Sequence, residues 1–279
     1  MQLFKCMNRE NISIKVNAKV NLRLDINGVF DDGYHDLDML MASVSLYDEL
    51  YVEKSQNTEV FMDGVLQDEK NTAYKAAKLL EETFGYKVKV CIKKHIPLKA
   101  GLGGSSADAA GVFFAYGKLY GIDVDDMKKL ALQIGSDVVY MLKGGSAFVK
   151  CRGEIVSKAE FVPLIFVIAQ KEYGGDTKDV YKEYDKQEKN IENPIQIDKI
   201  GKIYNVLQDP AIRLCPSIKE TINHMKMFTK NVVMTGSGSA VIGIFEHENE
   251  AVGACVCLGN KYKFKKVVKT VSSGIEIVM

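Results

Sequence analysis

Gly101, Gly103, Gly104, Ser105 and Ser106 fall together, directly ahead of an apolar run that begins at Ala107. Glycine lets a backbone approach a ligand closely, and the free N–H groups of a helix start carry partial positive charge. Phosphate is the natural guest of such a turn. A flexible loop before a capped helix is the plainer alternative, although a mere linker rarely sets glycines and serines against a helix start so densely. Two other side chains could do chemistry. Lys19 shares a strand pattern with Asn21; it either points to solvent or offers a compact positive charge to a phosphate or a reacting hydroxyl. Asp137 stands between Gly135 and the apolar run from Val138, where it either caps a short helix or acts as a general base.

Three familiar glycine patterns do not fit. A P-loop ends in Gly-Lys-Ser/Thr, and no lysine follows Gly104; a dinucleotide fingerprint needs glycine where Ser106 stands; a nucleophile elbow needs glycine in place of Ala107.

The elements that must position these groups are legible in the apolar spacing. Val88, Val90 and Ile92 alternate with lysines and predict a strand over 87–93, immediately before the loop. Ala110, Phe113, Phe114 and Gly117 predict a helix over 107–120, with Ser105 or Ser106 as its N-cap and Gly121 as its stop. Lys19 lies in residues 11–26, which read as one or two strands interrupted at 17–19. A turn over 28–35 follows, in which Tyr34 and His35 either cap the edge of a core or stack on a base. A strand near 42–46, helices over 71–84 and 125–134, turns at 144–147 and 152–154, and a buried strand over 161–169 come next. Beyond the polar loop 170–177, residues 183–202 read as a variable loop, 205–208 and 216–228 as helices, and 232–245 as two strands around a glycine turn. The lysines of 261–269 read as a solvated face. Strands and helices mix without βαβ repetition, so the fold class is α+β.

Composition narrows the function classes. A chain of 279 residues with net charge +1 carries neither a nucleic-acid field nor an acidic bias, so nucleic acid is not an expected partner. The apolar run 161–169 is too short to cross a membrane, and Met1 to Glu10 lacks the apolar core of a signal peptide, so a cytoplasmic location is expected. The six cysteines include no CxxC pair, and Cys255 and Cys257 have no histidine nearby, so a protein-held metal is not expected.

The spacing Pro-x-x-x-Gly-Leu-Gly-x-Ser-Ser-Ala resembles the phosphate-binding loop of the GHMP small-molecule kinases. Here it is Pro97, Leu98, Lys99, Ala100, Gly101, Leu102, Gly103, Gly104, Ser105, Ser106 and Ala107. Ala18-Lys19-Val20-Asn21-Leu22, followed by Asp32-Gly33-Tyr34-His35, is similar to the branch of that superfamily acting on a cytidine-diphosphate-linked methylerythritol in non-mevalonate isoprenoid synthesis. The resemblance implies an α+β two-domain GHMP kinase fold. A ribosomal-protein-S5-like nucleotide-binding domain would span 1–155, and a ferredoxin-like GHMP kinase domain 156–279, with the site in the cleft between them. It implies ATP as co-substrate with Mg²⁺, ATP bound by Pro97 to Ala107, and Lys19 and Asp137 as the catalytic pair. Asn21, Tyr34, His35, Tyr181, Gly236, Ser237 and Gly238 would face the acceptor, although a helix-surface place for Tyr181 and a plain hairpin at 236–238 are the ordinary alternatives. The implied partners are small molecules, with no membrane and a monomer or homodimer. A homoserine or mevalonate-type acceptor, or a non-catalytic nucleotide-binding homologue, are the competing readings. The chain departs from the family pattern at Val139, where proline is common, and near 170–171, where a proline is missing.

Overall fold

Apolar alternation builds two long paired strands, β1 (Asn11–Val29) and β2 (His35–Lys54). The interruption expected at 17–19 is a shift of register between Asn17 and Ala18, so β1 bends without ending. The strand expected near 42–46 runs the whole length of β2. A computed structural model describes residues 10–186, 195–197 and 201–278. Most of the stretch expected as a variable loop at 183–202, and nearly all of the first ten residues, lie outside the described ones.

β3 (Glu59–Met62) and β4 (Val65–Leu66) form a small hairpin, followed by α1 (Thr72–Phe84) and β5 (Val88–Lys93). α2 (Gly104–Tyr120) packs across β1 and β2 with most of its side chains buried. Its Gly111 leaves no room for a Cβ, which would meet Leu50 Cδ2 and Val16 Cγ1 at 2.7 Å each. The fully buried Phe113 contributes about 2–3 kcal/mol of the hydrophobic stabilisation there. The helix expected over 125–134 begins as a tight turn at Asp125–Met127 and continues as α3 (Lys128–Ile134). α4 (Ser136–Lys143), β6 (Ser146–Cys151) and β7 (Ile155–Lys158) follow.

β8 (Ile165–Gln170) begins four residues later than the predicted strand at 161, where Phe161 is exposed. α5 (Thr177–Tyr184), β9 (Ile195–Ile197), β10 (Gly201–Asn205), α6 (Gln208–Leu214) and α7 (Ser217–Met225) come next. The helix expected over 205–208 is corrected: Asn205 ends a strand, and the helix starts at Gln208. β11 (Val232–Met234), β12 (Val241–Phe245), α8 (Glu248–Cys257), β13 (Phe264–Lys269) and β14 (Ile275–Ile277) complete the chain. The lysine-rich stretch is thus β13, an edge strand.

The strands form two sheets. The larger runs β4-β3-β5-β2-β1-β10-β9, with β14 also on β1 and β6 and β7 continuing from β2; the smaller is antiparallel, β11-β12-β8-β13. β10 and β14 therefore return from the second half of the chain to the first sheet. They pair with β1 on either side of residues 17–21, β14 at 14–16 and β10 at 23–24. That leaves a gap in the ladder, filled by other segments. Asn17 N donates to Gly274 O (2.7 Å), Lys19 N to Leu102 O (3.0 Å) and Asn21 N to Thr235 Oγ1 (2.9 Å). The glycine loop and the 235–240 turn meet on this edge.

Candidate active site

Because the gap in β1 is covered, Asn17, Lys19 and Asn21 are buried although they alternate with the apolar positions. Lys19 Nζ donates to Asn21 Oδ1 at 2.6 Å and lies 3.4 Å from Asp137 Oδ2. A buried ammonium needs such partners, and these fix where it points. The reading of Lys19 as a solvent-pointing lysine is thereby removed.

Asp137 belongs to the first turn of α4, whose N-cap position is taken by Gly135 in an extended conformation. The carboxylate is therefore not the cap. Val138, Val139, Tyr140 and Met141 are buried, which leaves Asp137 half-buried on the cleft side. Val139, in place of the family's common proline, does not disturb the turn: Val138 N donates to Gly135 O at 3.1 Å.

A cleft of about 920 Å³ opens over the Lys19–Asp137 pair. Pro97 to Ser106 line it along one side, and Asn21, Tyr34, His35, Tyr181, Gly236, Ser237 and Gly238 line it too. The Ala107 side chain does not; it is buried at 1 % exposure in the α2 core. Ser105 and Ser106 are not caps either. α2 starts at Gly104, its N-cap Gly103 is left-handed, and no side chain caps it. Its first N–H groups thus face the cleft with both serines in the first turn, which is the arrangement an anion needs.

The loop is held from beneath by the second sheet's turn. Ala240 N donates to Ala100 O (3.1 Å), and the buried Gln170 amide donates to Leu98 O (3.1 Å), Lys99 O (3.2 Å) and Ser239 Oγ (3.2 Å). Gln170 stands where the family's proline is missing, and here it ties the loop to the 239 turn. Asn205 Nδ2 donates to Met234 O (2.9 Å) and Gly236 O (2.8 Å). The two glycine turns touch backbone to backbone: a Cβ on Gly101 would lie 2.2 Å from Thr235 O. On the rim, Lys99 donates to Asp176 at 2.8 Å and holds that carboxyl below its usual range.

Gly103 behaves differently from its expected role as open ground for phosphate. At φ +71, its Cβ would point inward, 2.2 Å from Met141 Cε and 3.0 Å from Lys19 Cγ. Gly103→Val is expected to push Lys19 from its place, so kcat falls along with nucleotide affinity, by about tenfold or more in each. Steady-state kinetics beside a nucleotide titration check this; a folded variant with parental values would show that the loop tolerates a side chain.

The aromatic residues are arranged differently from a simple sandwich of Tyr34 and His35 against Tyr181. His35 lies on Tyr181, ring centroids 4.7 Å apart, and its Nε2 is 2.7 Å from Asp185 Oδ1. Tyr34 is 60 % exposed and lies under the Arg152 guanidinium (5.2 Å), which also covers Phe30 (4.9 Å) and pairs with Asp32 at 2.6 Å. Burial pushes the Tyr181 hydroxyl pKa up, and the Asp137 charge adds to it, so the phenol stays neutral.

The models of the GHMP kinases N terminal domain and of the GHMP kinases C terminal match residues 71–148 and 188–263. The chain is 35 % identical to 4-diphosphocytidyl-2-C-methyl-D-erythritol kinase of Clostridium perfringens (strain 13 / Type A), covering 93 % of this chain and 97 % of that one. It is 36 % identical to the protein of that name from Caldicellulosiruptor saccharolyticus, over 92 % and 95 %. The chain belongs to the 4-diphosphocytidyl-2-C-methyl-D-erythritol kinase family. A crystal structure of 4-(cytidine 5'-diphospho)-2C-methyl-D-erythritol kinase superposes with TM-score 0.78 at 30 % identity, covering 94 % of this chain and all of that one. The two-domain GHMP kinase fold expected from the sequence is therefore the fold of this chain. Homoserine kinase from Cytophaga hutchinsonii shares it with TM-score 0.70 at 17 % identity.

Several residues on the cleft escaped the sequence. Lys94 and Asp176 line the cleft and carry no family spacing that singles them out, and Thr235 and Gln170 are buried beneath it. Thr177, which the family's Ser-Thr segment does mark, lies with its Oγ1 2.9 Å from Ser237 Oγ, next to Asp176 and its bond to Lys99 of the loop. One signal was readable: Asp108 is a lone charge within the apolar run of α2, and it turns out to be buried.

Proposed function

We propose that the protein transfers the γ-phosphoryl group of ATP to the 2-hydroxyl of 4-diphosphocytidyl-2-C-methyl-D-erythritol. The observation that carries this reading is the Lys19–Asp137 pair, 3.4 Å apart, facing a cleft walled by the uncapped start of α2. Phosphoryl transfer demands mostly positioning and charge stabilisation. The α2 amides from Gly104 onward, with Ser105 and Ser106, hold the ATP phosphates. Asp137 orients the acceptor hydroxyl and takes its proton. Lys19, fixed by Asn21, places its charge between hydroxyl and transferring group. Mg²⁺ would arrive with the nucleotide and would supply positive charge for the transferring group. Among the described residues no group of three or more His, Cys, Asp or Glu forms a cage that would hold it independently. The division into domains at residues 155 and 156 belongs to the same reading. So does a site with small molecules as its only partners.

Tyr34, His35 and Tyr181 line the cleft and supply faces for a cytosine ring. Free cytidine diphosphate is then expected to compete with the acceptor and to leave ATP affinity unchanged. Tyr181→Ala is expected to raise the acceptor KM by roughly 10-fold or more, since one base–aromatic stack is worth ~1–3 kcal/mol. Inhibition by cytidine, uridine and adenosine diphosphates, compared at saturating ATP and limiting acceptor, tests this. Equal inhibition by all three, or none by the cytidine compound, would overturn the cytidine assignment and leave a homoserine or mevalonate-type acceptor as the next reading. Lys19 and Asp137 both being present argues against a non-catalytic homologue.

A further inference from the structure

Beneath the start of α2 lies a buried cluster of three charges that the mechanism above does not use. Lys94 Nζ donates to Asp48 Oδ2 on β2 at 2.5 Å and to Asp108 Oδ2 on α2 at 2.6 Å. Asp48 and Asp108 are at most 1 % exposed. The second oxygen of Asp48 accepts from His95 N (2.5 Å) and Ile96 N (2.8 Å), the two residues that lead into the glycine loop. The second oxygen of Asp108 has no partner among the described residues. The Lys94 head group also lies against the first residue of α2, 3.3 Å from where a Cβ on Gly104 would be, and it lines the cleft. The cluster thus ties together β2, the chain leading into the loop, and the helix start that meets phosphate.

One cation serves two carboxylates, so the fully ionised cluster carries a net negative charge directly under an anion site. A buried carboxylate with an unpartnered oxygen is costly to keep charged. Building on the nucleotide reading above, we propose that Asp108 is a positioning residue for ATP. Through Lys94 it braces the start of α2, and it takes up a proton when the nucleotide's phosphates bind.

Burial raises the Asp108 carboxyl to about 7; Lys94 opposes the rise, and Asp48 adds to it. Burial also works against the Lys94 charge, but Asp108 and Asp48 outweigh it and hold the ammonium pKa up. Lys94 and Asp48 are the charged groups facing Asp108. One turn further along α2, at Gly111, the facing side chains are the apolar Val16 and Leu50. Phosphates arriving nearby raise the Asp108 pKa further, because a like charge disfavours ionisation. The complex then binds more protons than the free protein above about pH 7, so affinity falls as pH rises through that range.

Titration of Mg²⁺ with a non-hydrolysable ATP analogue into the protein, at pH 6.5 to 8.5 in buffers of different ionisation enthalpy, reads proton uptake directly. The parent is expected to take up roughly half a proton or more per nucleotide near pH 7.5, and to bind roughly fivefold more weakly at pH 8.5 than at 6.5. Asp108→Asn, which keeps the shape and loses the titration, is expected to flatten both while the acceptor KM stays put. A parent that takes up no proton overturns the proposal, whether or not the variant folds. A folded variant with parental uptake overturns it equally. Absence of any nucleotide heat would instead contradict the kinase reading itself, so the two failures are separable.

Discussion

Replacing Asp137 with asparagine is expected to lower kcat by at least ~10²-fold, the scale on which a general base contributes. Nucleotide affinity should barely change, because the carboxylate pairs with Lys19 while the amides that take phosphate belong to the loop and the start of α2. Asparagine keeps the size and the half-buried place on α4 and removes the charge and, with it, the capacity to accept a proton. Turnover and a nucleotide titration on the same preparation check the split. A variant within about threefold of the parent in kcat would take Asp137 out of the proton transfer, where losses of ~10²-fold or more are expected.

Lys19→Met is expected to be comparably severe, with kcat falling by about 10²-fold or more, as for loss of a charge aimed at the transition state. The stem of Lys19 packs beside Gly103 and Met141, so an unbranched apolar replacement preserves the packing while removing the ammonium. Asn21 then loses the donor to its Oδ1 and Asp137 loses its counter-charge. Since both residues act on one hydroxyl, the double variant Lys19→Met with Asp137→Asn should be scarcely slower than either single one, as expected of groups that act as a unit. Multiplicative losses would mean that the two residues act independently. Single-turnover rates on all three variants, with both substrates saturating, decide it.

The loop, its flanking strand and most of its helix were readable because glycine spacing and alternation are local signals. Lys19 was not decidable. Whether a strand lysine is buried depends on what covers that edge, and Asn21's neighbour Thr235 lies 214 residues away in the chain. Asp137 was equally open until Gly135 was seen to take the cap position. α8 went unread because only the small Ala251 and Ala254 are buried in it, so it has no broad apolar stripe. α6 was misplaced because Asn205 pairs with Leu24, a contact far away in the chain, so the strand runs to 205 and the helix starts only at Gln208, with Pro210 in its first turn, where a missing N–H costs nothing. The boundary of the glycine-loop helix slipped for a related reason. Serine is the favoured cap, yet a left-handed glycine, Gly103, took that position and turned both serines toward the cleft.

The central claim is a transfer from ATP to one acceptor at the Lys19–Asp137 pair. It is tested most directly by ADP release with saturating ATP and Mg²⁺ and a limiting, known amount of candidate acceptor. 4-Diphosphocytidyl-2-C-methyl-D-erythritol, homoserine, mevalonate and no acceptor are compared side by side. One ADP is expected for each molecule of the cytidine-linked acceptor, and only background release with the other three. Equal release with and without that acceptor, or stoichiometric release with homoserine or mevalonate instead, would contradict it.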